Sequence, residues 1–234
     1  MNADTARRAD EIERFLALFR RFGAAPCVEF YLAFFDPEAT LFDSGMQRPI
    51  SVPEIPEHIE GILKLVPDFE MTPVRWRFRE PTIFVEAHNQ ASFGPALAEW
   101  PSVYCIDLRA DRVIRGRRYY DRRPLFARLS PEIAAQSAFE GGSPLAIDAP
   151  VADAETLAAH CVARAAERAR SFGIDGLTLE LATWAGDASL AFLEWTATGE
   201  RDGRPLRFGV ADRYDLANGR VTASRAYFDS LALG

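Results

Sequence analysis

The residues of this chain best suited to chemistry are His58, Arg118, Tyr31 and Tyr120. His58 follows Ile55 by three residues and precedes Ile62 by four, which sets it beside the apolar stripe of a helix and turns it toward a core. Histidine gains or loses a proton near neutral pH, so one placed there could serve as a general acid or base; a lone histidine on an apolar face is also commonly a satisfied core residue. Arg118 stays protonated and is costly to bury alone. It therefore requires solvent, an internal carboxylate such as Asp43 or Glu86, or an anionic ligand gripped through two hydrogen bonds. Tyr31 and Tyr120 can donate hydroxyl hydrogen bonds into a cavity, or fill a core with only the hydroxyl satisfied.

Arg118 and Tyr120 belong to a stretch that occurs twice. Arg112-Val113-Ile114-Arg115-Gly116-Arg117-Arg118-Tyr119-Tyr120-Asp121 returns 108 residues later as Arg220-Val221-Thr222-Ala223-Ser224-Arg225-Ala226-Tyr227-Phe228-Asp229, with five of the ten positions identical. The same offset pairs Trp76 with Trp184, Phe84 with Phe192, Glu86 with Glu194 and Asp107 with Asp215. A repeat of this kind sets the architecture before any local pattern does. Read as a strand, its side chains alternate. One face (Val113, Arg117, Tyr119, Asp121) is preserved between copies, while on the other Arg118 becomes Ala226 and Tyr120 becomes Phe228. The preserved face is expected to pack or pair, as at a two-fold interface, and the diverged face to form a pocket in the first copy alone.

The remaining elements follow from spacing. Ile12, Phe15, Leu16, Phe19 and Phe22 recur at helical spacing from Thr5 to a stop at Gly23, and an apolar run from Cys27 to Phe35 reads as a short buried helix. Ala39–Asp43 reads as a strand, and Ser51 with Glu54 as a capping box opening a third helix that carries His58. Strands follow at Phe69–Arg79, Thr82–Ser92 and Val103–Arg109, then the strand ending at Asp121. Residues 131–150 are rich in proline, glycine and serine and read as a linker. Asp153 caps an alanine-rich helix reaching Phe172, and four strands close the chain. The expected fold is α+β in two tandem units: residues 1–130 complete, and residues 151–234 without counterparts of the first two helices.

Composition narrows the partners. A net charge of -7 and a pI near 5.1 give no attraction to nucleic acid or an anionic membrane. Cys27, Cys105 and Cys161 are odd in number and far apart, which indicates neither a disulfide framework nor a metal site. The first residues lack the apolar core of a signal peptide, and no run approaches the ~18 apolar residues of a membrane span, so a cytoplasmic protein is expected. Phosphate loops and nucleophile elbows are absent from the sequence, and no cofactor is expected.

Helices first, then a terminal strand reading Tyr-aromatic-Asp, resembles the SnoaL-like superfamily, the cone fold shared with ketosteroid isomerase and scytalone dehydratase. The nearest likeness is to the phenazine-biosynthesis A/B proteins, carried by Arg48-Pro49-Ile50, Glu57-His58, Val66-Pro67-Asp68-Phe69-Glu70, Val74-Arg75 and the Arg112–Tyr119 strand. The resemblance implies acid/base work by His58, while the glutamate that partners it in those proteins is replaced by Arg118. Ala39-Thr40-Leu41-Phe42-Asp43 resembles the ketosteroid isomerase strand ending in a catalytic aspartate, which makes Asp43 a second catalytic candidate, and Phe15 stands where that family has an oxyanion-binding tyrosine. The implied function is binding of a small cyclic or aromatic carboxylate-bearing compound, with cofactor-free isomerisation, cyclisation or dehydration; the alternative is a non-catalytic binding or accessory protein with a decayed site. The two units are expected to pack as an internal pseudo-dimer, leaving a further homo-oligomer open.

Overall fold

Apolar spacing gives the first helix, α1 (Ala3–Ala24), in the computed structural model, which describes residues 3–233. Ile12, Phe15, Leu16, Phe19 and Phe22 are all buried along it. The helix runs through Gly23 instead of stopping there; any side chain at Gly23 would collide with the Met71 carbonyl, so this glycine serves close approach. α2 (Val28–Leu32) is capped by Cys27, whose sulfur accepts from the Phe30 amide at 3.4 Å. It is shorter than expected because β1 (Phe35–Asp43) begins at the end of the apolar run, where the Phe34 carbonyl accepts from the Val113 amide at 2.7 Å.

β2 (Ile50–Ser51) leads into a 3-10 turn with the expected Ser51–Glu54 capping box, and α3 (Ile55–Leu65) follows with Ile55 and Ile59 buried. Then come β3 (Glu70–Arg79), β4 (Thr82–Phe93), β5 (Ala96–Arg109) and β6 (Arg112–Tyr119). These strands form one sheet in the order β2-β1-β6-β5-β4-β3. β1 lies parallel to β6, with Asp43 opposite Arg118. That register alone brings two of the candidate residues together.

After α4 (Arg123–Phe126) and α5 (Pro131–Ala135), α6 (Ala154–Ala163) is capped by the Asp153 side chain on the Thr156 amide at 2.8 Å. The single helix expected here is two, α6 and α7 (Ala165–Arg170). The break falls at Arg164 (φ -111, ψ 18), whose guanidinium is tied to the Ala146 carbonyl and Glu167 at 2.9 and 2.6 Å. β7 (Thr178–Gly186), β8 (Leu190–Arg201), β9 (Arg204–Ala217) and β10 (Arg220–Tyr227) make a four-stranded antiparallel meander. The α+β class is as expected.

Two compact units result, one from Met1–Trp76 with Val85–Arg118, the other from Arg77–Phe84 with Tyr119–Gly234. In the second, the core under the meander is closed by Leu145, Ile147 and Val151, with Phe139 packed against it, so the proline- and glycine-rich segment supplies core side chains. Repeat-related residues meet within this unit. Phe84 stacks on Phe192 with centroids 5.6 Å apart. Asp121 accepts from the Ser230 amide and hydroxyl at 3.1 and 2.7 Å, and Asp229 accepts from Arg122 Nε at 2.9 Å. Each repeat aspartate thus binds the residue that follows the other. No helix among the described residues is long and apolar enough to cross a membrane.

Candidate functional site

Opposed strand residues project to one face of a sheet, so the β1–β6 register makes Asp43 and Arg118 neighbours inside the first unit. Arg118 Nε donates to Asp43 Oδ1 at 2.8 Å and its Nη2 donates to Oδ2; Nη1 reaches the Tyr104 hydroxyl at 3.3 Å. The fork that could have gripped a ligand carboxylate is engaged by an internal one. Asp43 also accepts from the Ser44 amide at 2.8 Å. Burial pushes the Asp43 carboxyl upward, but the Arg118 charge and its hydrogen bonds, with His58 adding, hold it below its ordinary value. Asp43 is therefore a fixed carboxylate and a weak base.

α3 lowers His58 onto this pair. Its Nε2 stands 3.8 Å from Asp43 Oδ2, just beyond hydrogen-bond distance, and is buried without a partner. A nitrogen lone pair facing a carboxylate would be repelled, so the arrangement favours the tautomer with hydrogen on Nε2 and leaves Nδ1 as the acceptor. The His58 side chain keeps 27% of its surface, against 8% for Asp43 and 13% for Arg118. It is the most exposed member of the cluster.

Tyr31, on α2, is buried beside them, and burial above all pushes its hydroxyl pKa up. It stays a neutral hydroxyl. Tyr31, Tyr104, Phe22, Phe69 and the α3 residues Ile59, Ile62 and Leu63 wall a cavity of about 20 Å³ with Asp43 and Arg118 at its polar end. That volume holds about one water molecule. Tyr120 lies just past the end of β6, half-buried, and does not line this cavity. Phe15 is fully buried, its ring 5.6 Å from that of Phe19.

Sequence reasoning brought forward four of the five candidates that the structure places in the first unit and missed Tyr104. The signal was strand alternation on β5, where Ala98, Trp100, Ser102 and Tyr104 are all buried, but an unbroken apolar run hides which face looks inward. Larger, open clefts occur in the second unit, of about 430 Å³ along Arg201–Leu206 and about 330 Å³ beside Phe139, Phe172 and Asp175. Among the described residues no three His, Cys, Asp or Glu side chains gather as metal ligands would. All three cysteines are free.

No protein-family model matches the chain, and no curated protein matches it. Solved structures do. The chain is similar to AclR, a candidate hydroxylase from Streptomyces galilaeus (16% identity, 53% of this chain and 96% of that one, TM-score 0.43). It is also similar to an NTF2-like protein from Anabaena variabilis (14% identity, 51% and 92%, TM-score 0.44). A third is a candidate SnoaL-like polyketide cyclase from Jannaschia sp. CCS1 (15% identity, 56% and 94%, TM-score 0.43). Each covers about half of this chain.

Proposed function

We propose that the first unit is a small-molecule-binding SnoaL-like cone in which His58 is the acid/base residue, Asp43 orients it, and Arg118 keeps Asp43 ionised. The observation that carries this is the unpartnered His58 Nε2 held 3.8 Å from a carboxylate locked by a bidentate arginine. An oriented imidazole backed by a permanent carboxylate is the arrangement that fixes a tautomer for proton transfer. The chemistry is cofactor-free proton transfer of the isomerase, cyclase or dehydratase kind, on a cyclic or aromatic compound suited to walls of Phe22, Tyr31, Phe69 and Tyr104. A carboxylate on that compound would compete with Asp43 for Arg118.

The test is solvent deuterium exchange. Incubated in D2O with a panel of cyclic keto acids, the protein should exchange hydrogen for deuterium next to the carbonyl, and His58→Ala should abolish it. Exchange unaffected by His58→Ala contradicts the assignment.

One observation favours a second reading. A cavity of about 20 Å³ is far below the roughly 300 Å³ of ordinary ligand pockets, so in this form the cone is filled by its own side chains. Anything larger than water enters only if the Phe22–Tyr31–Phe69 wall moves. That small volume supports the second reading, a non-catalytic ligand-binding or accessory protein with a decayed site.

A further inference from the structure

Asn89 is fully buried on β4, and its side-chain amide is only half satisfied. Nδ2 donates to the Trp100 carbonyl at 3.0 Å and to Ser102 Oγ at 2.8 Å, whereas Oδ1 is buried with no hydrogen-bond partner. The amide cannot be turned round to cure this, because the carbonyl of Trp100 would then face Oδ1, acceptor against acceptor. A buried carbonyl oxygen left without a donor is costly, and native structures rarely leave such a group unexplained.

Alternation shows which face of the sheet the residue occupies, although Asn89 does not itself line the small cavity. Ser102 and Tyr104 are two apart on β5 and share a face, and Tyr104 lines the cavity that ends at Asp43 and Arg118. Asn89, bonded to Ser102 Oγ, is therefore on the inward face of the sheet. The ring of Trp100 lies 6.0 Å from that of Phe69, which is itself a wall of the cavity. The interior of the first unit thus carries a fixed acceptor on β4 in addition to the His58–Asp43–Arg118 cluster.

We infer that Asn89 Oδ1 is a specificity-determining acceptor for a hydroxyl or amine hydrogen on the ligand of the first unit. The inference rests on the reading of that unit as a small-molecule-binding cone, and it adds the substrate class: a ring compound bearing a hydrogen-bond donor. An analogue without the donor leaves Oδ1 unsatisfied and is rejected, as sites built around a buried polar group reject the analogue that lacks its partner. Ser102 and the Trp100 carbonyl are positioning groups, since they fix the amide without touching the ligand.

The experiment compares 2-naphthol with 2-methylnaphthalene, rings of nearly equal shape of which only the first has a donor, by fluorescence titration of the intact chain. Wild type should bind 2-naphthol about tenfold more tightly, the equivalent of one satisfied buried hydrogen bond. Asn89→Leu, checked for folding by circular dichroism, should bring the ratio close to one. On wild type alone, the 13C shift of the Asn89 side-chain carbonyl should move with 2-naphthol and not with 2-methylnaphthalene. A tenfold ratio that survives Asn89→Leu, or an unmoved carbonyl shift, overturns the inference while leaving the binding cone intact. Equal binding of both probes overturns it as well, and means a buried water only at Oδ1. Binding of neither probe to wild type overturns this inference, while the keto-acid panel decides the binding-cone reading separately.

Discussion

Each unit buries an arginine–aspartate pair, and the two pairs differ in whether anything is left over. In the second unit Arg168 and Asp212 are both completely buried. Arg168 donates through Nε and Nη2 to Asp212 at 3.0 and 2.7 Å and through Nη1 to Ser171 at 2.9 Å. Trp195 Nε1 donates to the same carboxylate at 3.0 Å, and Phe172 lies under the guanidinium at 4.8 Å. The network is closed by protein groups alone. In the first unit the Arg118–Asp43 pair has His58 above it with an unsatisfied nitrogen, a small cavity beside it and partial exposure. The 108-residue offset sharpens the contrast, because Asp212 occupies the repeat position of Tyr104, and both touch the buried arginine of their own unit. A saturated polar network specifies structure; one with an unsatisfied member is open to chemistry.

The largest expected effect follows from burial. Removing one partner of a fully buried pair leaves an uncompensated charge, so Asp212→Ala should lower unfolding free energy by about 3–5 kcal/mol in denaturant titration. Replacing both, as Arg168→Met with Asp212→Leu, should recover most of it. Asp43→Ala should cost less, about 1–3 kcal/mol, because Arg118 can turn toward water. Equal losses at Asp43 and Asp212 would break the comparison.

Next in size is Gly209→Ala. A Cβ at Gly209 on β9 would overlap the ring of Tyr119, whose hydroxyl donates to Glu194 at 2.6 Å. Overpacking of this kind costs about 1–3 kcal/mol, and thermal unfolding should show it without change at His58.

Acid stability tests the first pair in a different way. The folded Asp43 carboxyl lies below its ordinary value because of Arg118 and His58, against the opposing effect of burial. A depressed carboxyl contributes stability that is complete above about pH 4, its unfolded range, and is lost as pH falls through the folded value. Asp43→Asn should flatten that limb of the stability profile. A limb of unchanged steepness would mean that the pair is not formed in solution.

The smallest effect on stability is expected at His58. Its ring makes no hydrogen bond among the described residues, so His58→Ala should change unfolding free energy by about 1 kcal/mol or less, while abolishing proton transfer. A large loss of stability would make His58 a core residue.

Much of this was legible in the residues. The repeat announced itself through Arg112–Asp121 and Arg220–Asp229, and helical spacing named the buried face of α1 because five large apolar residues leave no other reading. Asp43 was foreseeable as a partner of Arg118, though nothing local to either residue fixes a parallel register between strands so far apart in the chain. Other features depend on distant groups. The break at Arg164 depends on the Ala146 carbonyl and Glu167, and α2 gave way to β1 because Phe34 and Phe35 pair with Val113. Tyr104 escaped notice because Ser102–Leu108 are buried without a break, so period two cannot tell the cavity side of the sheet from the other there.

The central claim, that the first unit holds an imidazole oriented for proton transfer, is tested most directly by the tautomer of His58. Long-range 1H–15N correlation spectra resolve both ring nitrogens, and with only three histidines in the chain the spectrum of His58→Ala assigns the signals. At a pH where the imidazole is neutral, the account predicts hydrogen on Nε2, facing Asp43, and a bare Nδ1. Hydrogen on Nδ1 with a lone pair toward Asp43 would contradict it.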